Sequence, residues 1–168
     1  MSWQPITTFP ELVERIRQVG SGGKVVALDG FMQSGKSTVS LRLASALPAE
    51  LISLDTFVDS SRDAPSYIGM LNMEDLASSV GDAVKRGTTV LLEGICMLDA
   101  LDALGIEPDL TIYVKRISPM GLWQDGFHFE DFEMHGEECN FTRESELEYH
   151  ARRRPHEMQV VVYARQEA

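Results

Sequence analysis

Short apolar runs alternate with longer amphipathic stretches along this chain. Lys24-Val25-Val26-Ala27-Leu28-Asp29 reads as a strand buried on both faces, since such strands are continuously apolar rather than alternating. Leu51-Ile52-Ser53-Leu54, Thr88 through Gly94, Leu110-Thr111-Ile112-Tyr113-Val114 and Val160-Val161-Val162-Tyr163 predict further strands. The stretches around them have helical spacing. Leu12, Val13, Ile16 and Val19 share a face, with Thr8 as N-cap and Gly20-Ser21-Gly22-Gly23 as the stop. Val39, Leu41, Leu43, Ala44 and Leu47 mark a helix over 38–46, broken by Pro48. Leu76, Ala77, Val80 and Val84 mark another, capped by Asn72, with Glu74 and Asp75 in its first turn and Gly87 at its end. A short helix over 99–104 stops at Gly105, and one over 144–153 stops at Pro155. Strands alternating with helices predict an α/β fold, a three-layer sandwich in which helices cover both faces of a parallel sheet.

The 168 residues, 43% hydrophobic, suit a single domain over 1–168 with its own core. Acidic residues outnumber basic ones 26 to 15, and a net charge of −11 argues against broad electrostatic binding to nucleic acid or to an anionic membrane. Any anionic ligand must be held by local positive groups. Met1-Ser2-Trp3-Gln4-Pro5 does not look like a secretion leader, and no apolar run approaches the roughly twenty residues that span a bilayer. A cytoplasmic location is expected. Cys96 and Cys139 form no C-x-x-C pair and read as free thiols.

Between the first strand and the following helix lies G-F-M-Q-S-G-K-S-T, residues 30–38, which fits G-x-x-x-x-G-K-[ST]. Gly30 and Gly35 let bare backbone turn tightly, so that successive N–H groups form an anion nest in front of a helix N-terminus. Gly30, Gln33, Ser34, Gly35, Lys36, Ser37 and Thr38 are therefore the predicted nucleotide-binding positions. Lys36 would reach the β- and γ-phosphates, and the Ser37 hydroxyl would ligate Mg²⁺. Two carboxylates stand at strand ends, where open α/β sheets bind ligands. Asp55 would accept a proton from an attacking hydroxyl or hold Mg²⁺ through water, and Glu93 would orient a magnesium-bound water; the blander readings are a turn cap and a strand-end acid met by backbone donors. The connection over 56–72 is long enough to supply groups such as Arg62, Asp63 and Tyr67 to an acceptor site. Arg153, at the end of its helix, would carry a guanidinium fork towards phosphate, or simply complement the helix dipole. His128, His135 and Cys139 lie in an aromatic and acidic segment, over 121–141, whose spacing fits no compact zinc pattern.

D-G-F-M-Q-S-G-K-S-T, then I-S-L-D-T-F, V-L-L-E-G-I, D-L-T-I-Y-V and Y-H-A-R-R-R-P-H-E, taken in this order, resemble the P-loop kinases of the uridine kinase and phosphoribulokinase type. The resemblance implies a five-stranded parallel sheet of order 2-3-1-4-5. It also implies ATP and Mg²⁺ as cofactors and phosphorylation of a small-molecule hydroxyl. By the same resemblance Asp55 looks like the catalytic aspartate and Glu93 like the strand-end acid, so Lys36, Asp55 and Glu93 form the expected catalytic set, with Ser37, Asp55 and Glu93 around the metal. Residues 115–154 take the place of a variable lid, in which Arg116 is the arginine expected at the nucleotide. That family carries several arginines there, and Lys115-Arg116-Ile117-Ser118-Pro119 holds one. A nucleotide-binding regulatory or assembly module is therefore the rival expectation. A small-molecule acceptor is the expected partner, and a homodimer is left open.

Overall fold

The computed structural model describes residues 4–126, 141–158 and 161–166, with the backbone alone for 141–143, 161, 162 and 166. Among these residues the α-helices and strands follow in the order α1 (Phe9–Arg17), β1 (Val25–Asp29), α2 (Lys36–Ala46), β2 (Ala49–Ser53), α3 (Met73–Lys85), β3 (Thr89–Glu93), α4 (Met97–Leu104), β4 (Leu110–Ile117), α5 (Phe141–Arg153) and β5 (Val161–Gln166). The strands form one parallel sheet of order β2-β3-β1-β4-β5, as expected. β1 is central. Its side chains alternate between two cores, so that Val26 and Leu28 join α1 and α2 through Leu12, Ile16, Val39 and Leu43, while Val25 and Ala27 join α3 and α4 through Leu76, Val80, Met97 and Leu101. Leu91, fully buried in the first of these cores, contributes about 1.5–3 kcal/mol by leaving water.

The caps match the sequence. The Thr8 hydroxyl accepts the Glu11 N–H at 3.4 Å, the Asn72 side chain accepts the Asp75 N–H at 3.3 Å, and Gly105 ends α4 in the left-handed conformation. Several boundaries shift for local reasons. Leu54 leaves the sheet and opens a 3₁₀ turn over Leu54–Phe57, where the Thr56 hydroxyl donates to the Ser53 carbonyl at 2.8 Å. β4 continues past Val114 to Ile117 because β5 pairs with it all the way, Lys115 with Ala164, Arg116 with Arg165 and Ile117 with Gln166. α2 begins at Lys36 and α5 at Phe141, each earlier than the apolar pattern alone predicts. Among the described residues no helix is long and apolar enough to cross a membrane.

Candidate active site

Parallel register brings the carboxyl ends of β2, β3 and β1 side by side, and each delivers chemistry there. After Asp29 the chain turns at Gly30, whose φ is 150°; a Cβ on it would lie 2.7 Å from the Val114 carbonyl oxygen and 2.8 Å from the Ser34 hydroxyl. Gln33 and Gly35 follow with φ of 66° and 93°, left-handed geometry of the kind that builds anion nests, and Gly35 is the N-cap of α2. The Ser34 hydroxyl is buried with no partner among the described residues. Lys36 is also buried, with Nζ 3.1 Å from the Phe31 carbonyl oxygen, so its charge is held over the loop.

Two hydroxyls converge on Glu93, which is buried at the end of β3. Ser37 donates to Oε2 at 3.3 Å and Ser53 donates to Oε1 at 2.5 Å. The first turn of α2 is thereby tied to the ends of β2 and β3. Asp55 stands exposed in the turn after β2 and accepts the Tyr67 hydroxyl at 2.6 Å through Oδ1. Burial, then the hydrogen bond to Asp55, pushes the Tyr67 phenol far above its ordinary range, which keeps it a donor. The connection over 56–72 folds back to make this contact, held by a Val58–Leu71 bridge and by the Arg62 guanidinium on the Leu71 carbonyl at 2.9 Å. Arg62 is therefore a tether that also pairs with Asp59, while Asp63 is exposed.

The structure adds a wall that apolar periodicity did not reveal. One face of α5 lies against the start of the loop: Glu146 accepts the Met32 N–H, Tyr149 donates to Asp29, and the His150 ring stacks on Phe31 at 3.7 Å and 9°. The Leu98 N–H donates to the Tyr149 hydroxyl at 3.2 Å. His150 Nδ1 faces the Glu146 carbonyl oxygen at 2.7 Å, a contact that only a protonated nitrogen makes, and Nε2 meets the Tyr113 hydroxyl at 2.7 Å. Burial pushes the Asp29 carboxyl up to about 6, against the lowering pull of Tyr149, the Gly30 N–H and Lys36.

The two arginines expected at the nucleotide make other contacts. Arg153 Nη2 is 2.8 Å from Asp102 and its Nε 3.5 Å from Asp99, both on α4, because Arg153 lies one helical turn, about 5.4 Å, beyond the Tyr149 that meets the loop. Arg116 pairs with Asp125 at 3.5 Å. The guanidinium found at the loop is that of Arg165 on β5, so close that a Cβ on Gly35 would lie 2.4 Å from its Nη1. Its signal in the sequence is alternation: two residues after the buried Tyr163, it takes the same face of the strand. His128, His135 and Cys139 lie outside the described residues, and among those described no group of three or more His, Cys, Asp or Glu could hold a metal.

Solved structures of the same shape exist. The chain aligns with the structure of a possible uridine kinase from Bacillus stearothermophilus at 14% identity and a TM-score of 0.58, covering 92% of this chain and 96% of that one. The fold is that of the P-loop kinases. A second structure with this fold, a candidate fructose transport system kinase from Silicibacter sp. TM1040, aligns at 18% identity and a TM-score of 0.53, covering 97% of this chain and 100% of that one. No protein-family model matches the chain, and no curated protein matches it. At these identities the P-loop kinase fold is what the chain shares with the two structures.

Proposed function

We propose that this chain is an ATP- and magnesium-dependent kinase acting on a hydroxyl of a small molecule, a nucleoside, a sugar or a related alcohol. One observation carries the reading: Lys36, the Ser37–Glu93 pair and the Asp55–Tyr67 pair converge at the carboxyl ends of three adjacent strands. The residues fit the cofactors. The loop has the left-handed positions and the unpartnered buried Ser34 hydroxyl of a phosphate cradle, and Ser37 backed by Glu93 suits Mg²⁺, which takes few protein ligands and keeps phosphate oxygens and waters for the rest.

Bound Mg·ATP supplies the transferable phosphoryl group and a metal that neutralises charge on its oxygens. Lys36 would exchange the Phe31 carbonyl for a phosphate oxygen, Ser37 would be the metal's protein ligand, and Glu93 would orient that hydroxyl and a water on the metal. Asp55, oriented by Tyr67, accepts the proton of the acceptor hydroxyl. Most of the acceleration comes from positioning and fixed charge, because phosphoryl transfer leaves little covalent work for the protein. A cleft of about 310 Å³ lined by Ser66, Tyr67, Cys96, Ser145, Glu148 and Arg152 shares Tyr67 with Asp55, and we assign the acceptor to it. Both similar structures are named as kinases, which supports a hydroxyl acceptor.

The test is ATP consumption by the purified chain across nucleosides, sugars and other alcohols, with and without Mg²⁺. Acceptor-dependent ADP formation that requires Mg²⁺ is expected. Tight ATP binding with no acceptor-dependent turnover across the panel would point to the regulatory-module alternative.

A further inference from the structure

Arg165 is placed where two independent rules of the fold meet. Tyr163 packs into the core beside Val39 and Leu43, so the side chain two residues on along β5 also faces α2, now at the carboxyl end of the sheet. There its guanidinium lies against Gly35, the N-cap of α2. It lines a cleft of about 380 Å³ together with Thr7, Thr38, Val39, Arg42 and Tyr163.

Its setting distinguishes it: Arg15 on α1 and Lys85 on α3 likewise make no ion pair among the described residues, but Arg165 lies against the loop. Arg17, Arg62, Arg86, Arg116, Arg152, Arg153 and Arg154 each pair with a carboxylate, Arg42 lies over the Phe9 ring at 4.0 Å, and Lys36 is bonded to the loop's own carbonyl. Arg165 makes no ion pair among the described residues, and it is exposed. In a chain of net charge −11, an uncompensated planar fork beside a phosphate loop is a local anion site.

We infer that Arg165 binds the phosphates of the nucleotide that are not transferred. The inference rests on the nucleotide reading of the loop and goes further, assigning an arginine contact to Arg165 where Arg116 and Arg153 pair with Asp125 and Asp102. The side of the loop decides which phosphates. Arg165 reaches Gly35 from the α2 face, whereas Tyr67 and the acceptor cleft lie with the α3 and α4 core on the other face. A contact to groups that do not change during transfer strengthens ground state and transition state equally.

The experiment measures binding of Mg·ATP, Mg·ADP and inorganic tripolyphosphate to the wild type, Arg165→Gln and Arg165→Lys by calorimetry, with thermal unfolding as the check on folding. Arg165→Gln is expected to weaken all three by about tenfold or more, the size of a lost charge-assisted hydrogen bond, and Arg165→Lys by less. With an acceptor present, KM for ATP rises by the same factor while kcat holds. Unchanged affinity in folded Arg165→Gln, beside a wild type that binds ATP, overturns the inference and leaves the kinase reading standing. A loss confined to ATP and ADP that spares tripolyphosphate overturns the assignment to phosphate in favour of the nucleoside. A wild type that binds none of the three removes both the inference and the nucleotide reading.

Discussion

Tyr67 Oη lies 2.6 Å from Asp55 Oδ1, the phenol buried and the carboxylate exposed. Twelve residues of chain fold back to make this contact, which holds one oxygen of an otherwise exposed carboxylate. Tyr67→Phe keeps the buried ring and removes only the donor. We expect kcat to fall by on the order of tenfold with KM for the acceptor nearly unchanged, as for a lost hydrogen bond to a charged group. Asp55→Asn should retain Mg·ATP binding and lose on the order of a hundredfold to ten-thousandfold in kcat. Steady-state kinetics with the true acceptor checks both, and near wild-type turnover by Asp55→Asn would remove its proton-accepting role.

Lys36→Ala should abolish measurable Mg·ATP binding or turnover while the chain stays folded. The lysine bonds the Phe31 carbonyl, not another side chain, and its methylenes leave a small gap at the loop. Circular dichroism and nucleotide titration separate the outcomes, and intact affinity in a folded variant would count against the phosphate-loop reading.

Glu93→Gln keeps a carbonyl acceptor for Ser37 and Ser53 and loses the negative charge behind the metal ligand. The Mg²⁺ concentration for half-maximal turnover should rise by about tenfold to a hundredfold, the cost of removing a group that orients a metal ligand. Turnover measured against Mg²⁺ reports it. An unchanged Mg²⁺ requirement would make Glu93 purely a brace between strands.

Asp29 titrates near 6 in the fold against 3.8 when unperturbed, so between those values the folded chain holds more protons than the unfolded one. Its contribution to stability therefore falls as pH rises through that window, by roughly 3 kcal/mol in total, and is flat above it. Asp29→Asn cannot ionise. The stability of Asp29→Asn relative to the wild type should accordingly rise between pH 4 and pH 7, measured by urea unfolding at a series of pH values. A difference that stays level across this range would place the titration elsewhere.

What the sequence disclosed was local, and what it withheld was non-local. Gly30 to Thr38, the Thr8 and Asn72 caps, and the carboxylates at the ends of β2 and β3 are legible because each depends on neighbours within a few residues. The sheet order came with the family resemblance, since no residue pattern states which strands pair. The pairing of Arg153 with Asp102 was not legible, because helical spacing gives a face and not the neighbour that each turn of the helix meets. Arg165 went unnoticed because its position depends on the pairing of β5 with β4. The return of Tyr67 to Asp55 depends on the path of an irregular loop, for which periodicity offers no rule.

The contacts of Glu146 and Tyr149 with Met32 and Asp29 span 114 and 120 residues, and they set a timetable for the molecule. A chain made from its N-terminus presents β1, the glycine loop and α2 long before α5 exists, and contacts this distant in sequence form late because closing the intervening chain must come first. On the proposed reading, competence to bind nucleotide is thus among the last properties the folding chain acquires, although the glycine loop is among the first parts synthesised. Transient undocking of α5 would strip the loop of its wall without melting the sheet. A bound nucleotide, by favouring the docked form, would hold the C-terminal part of the chain in place and slow its proteolysis.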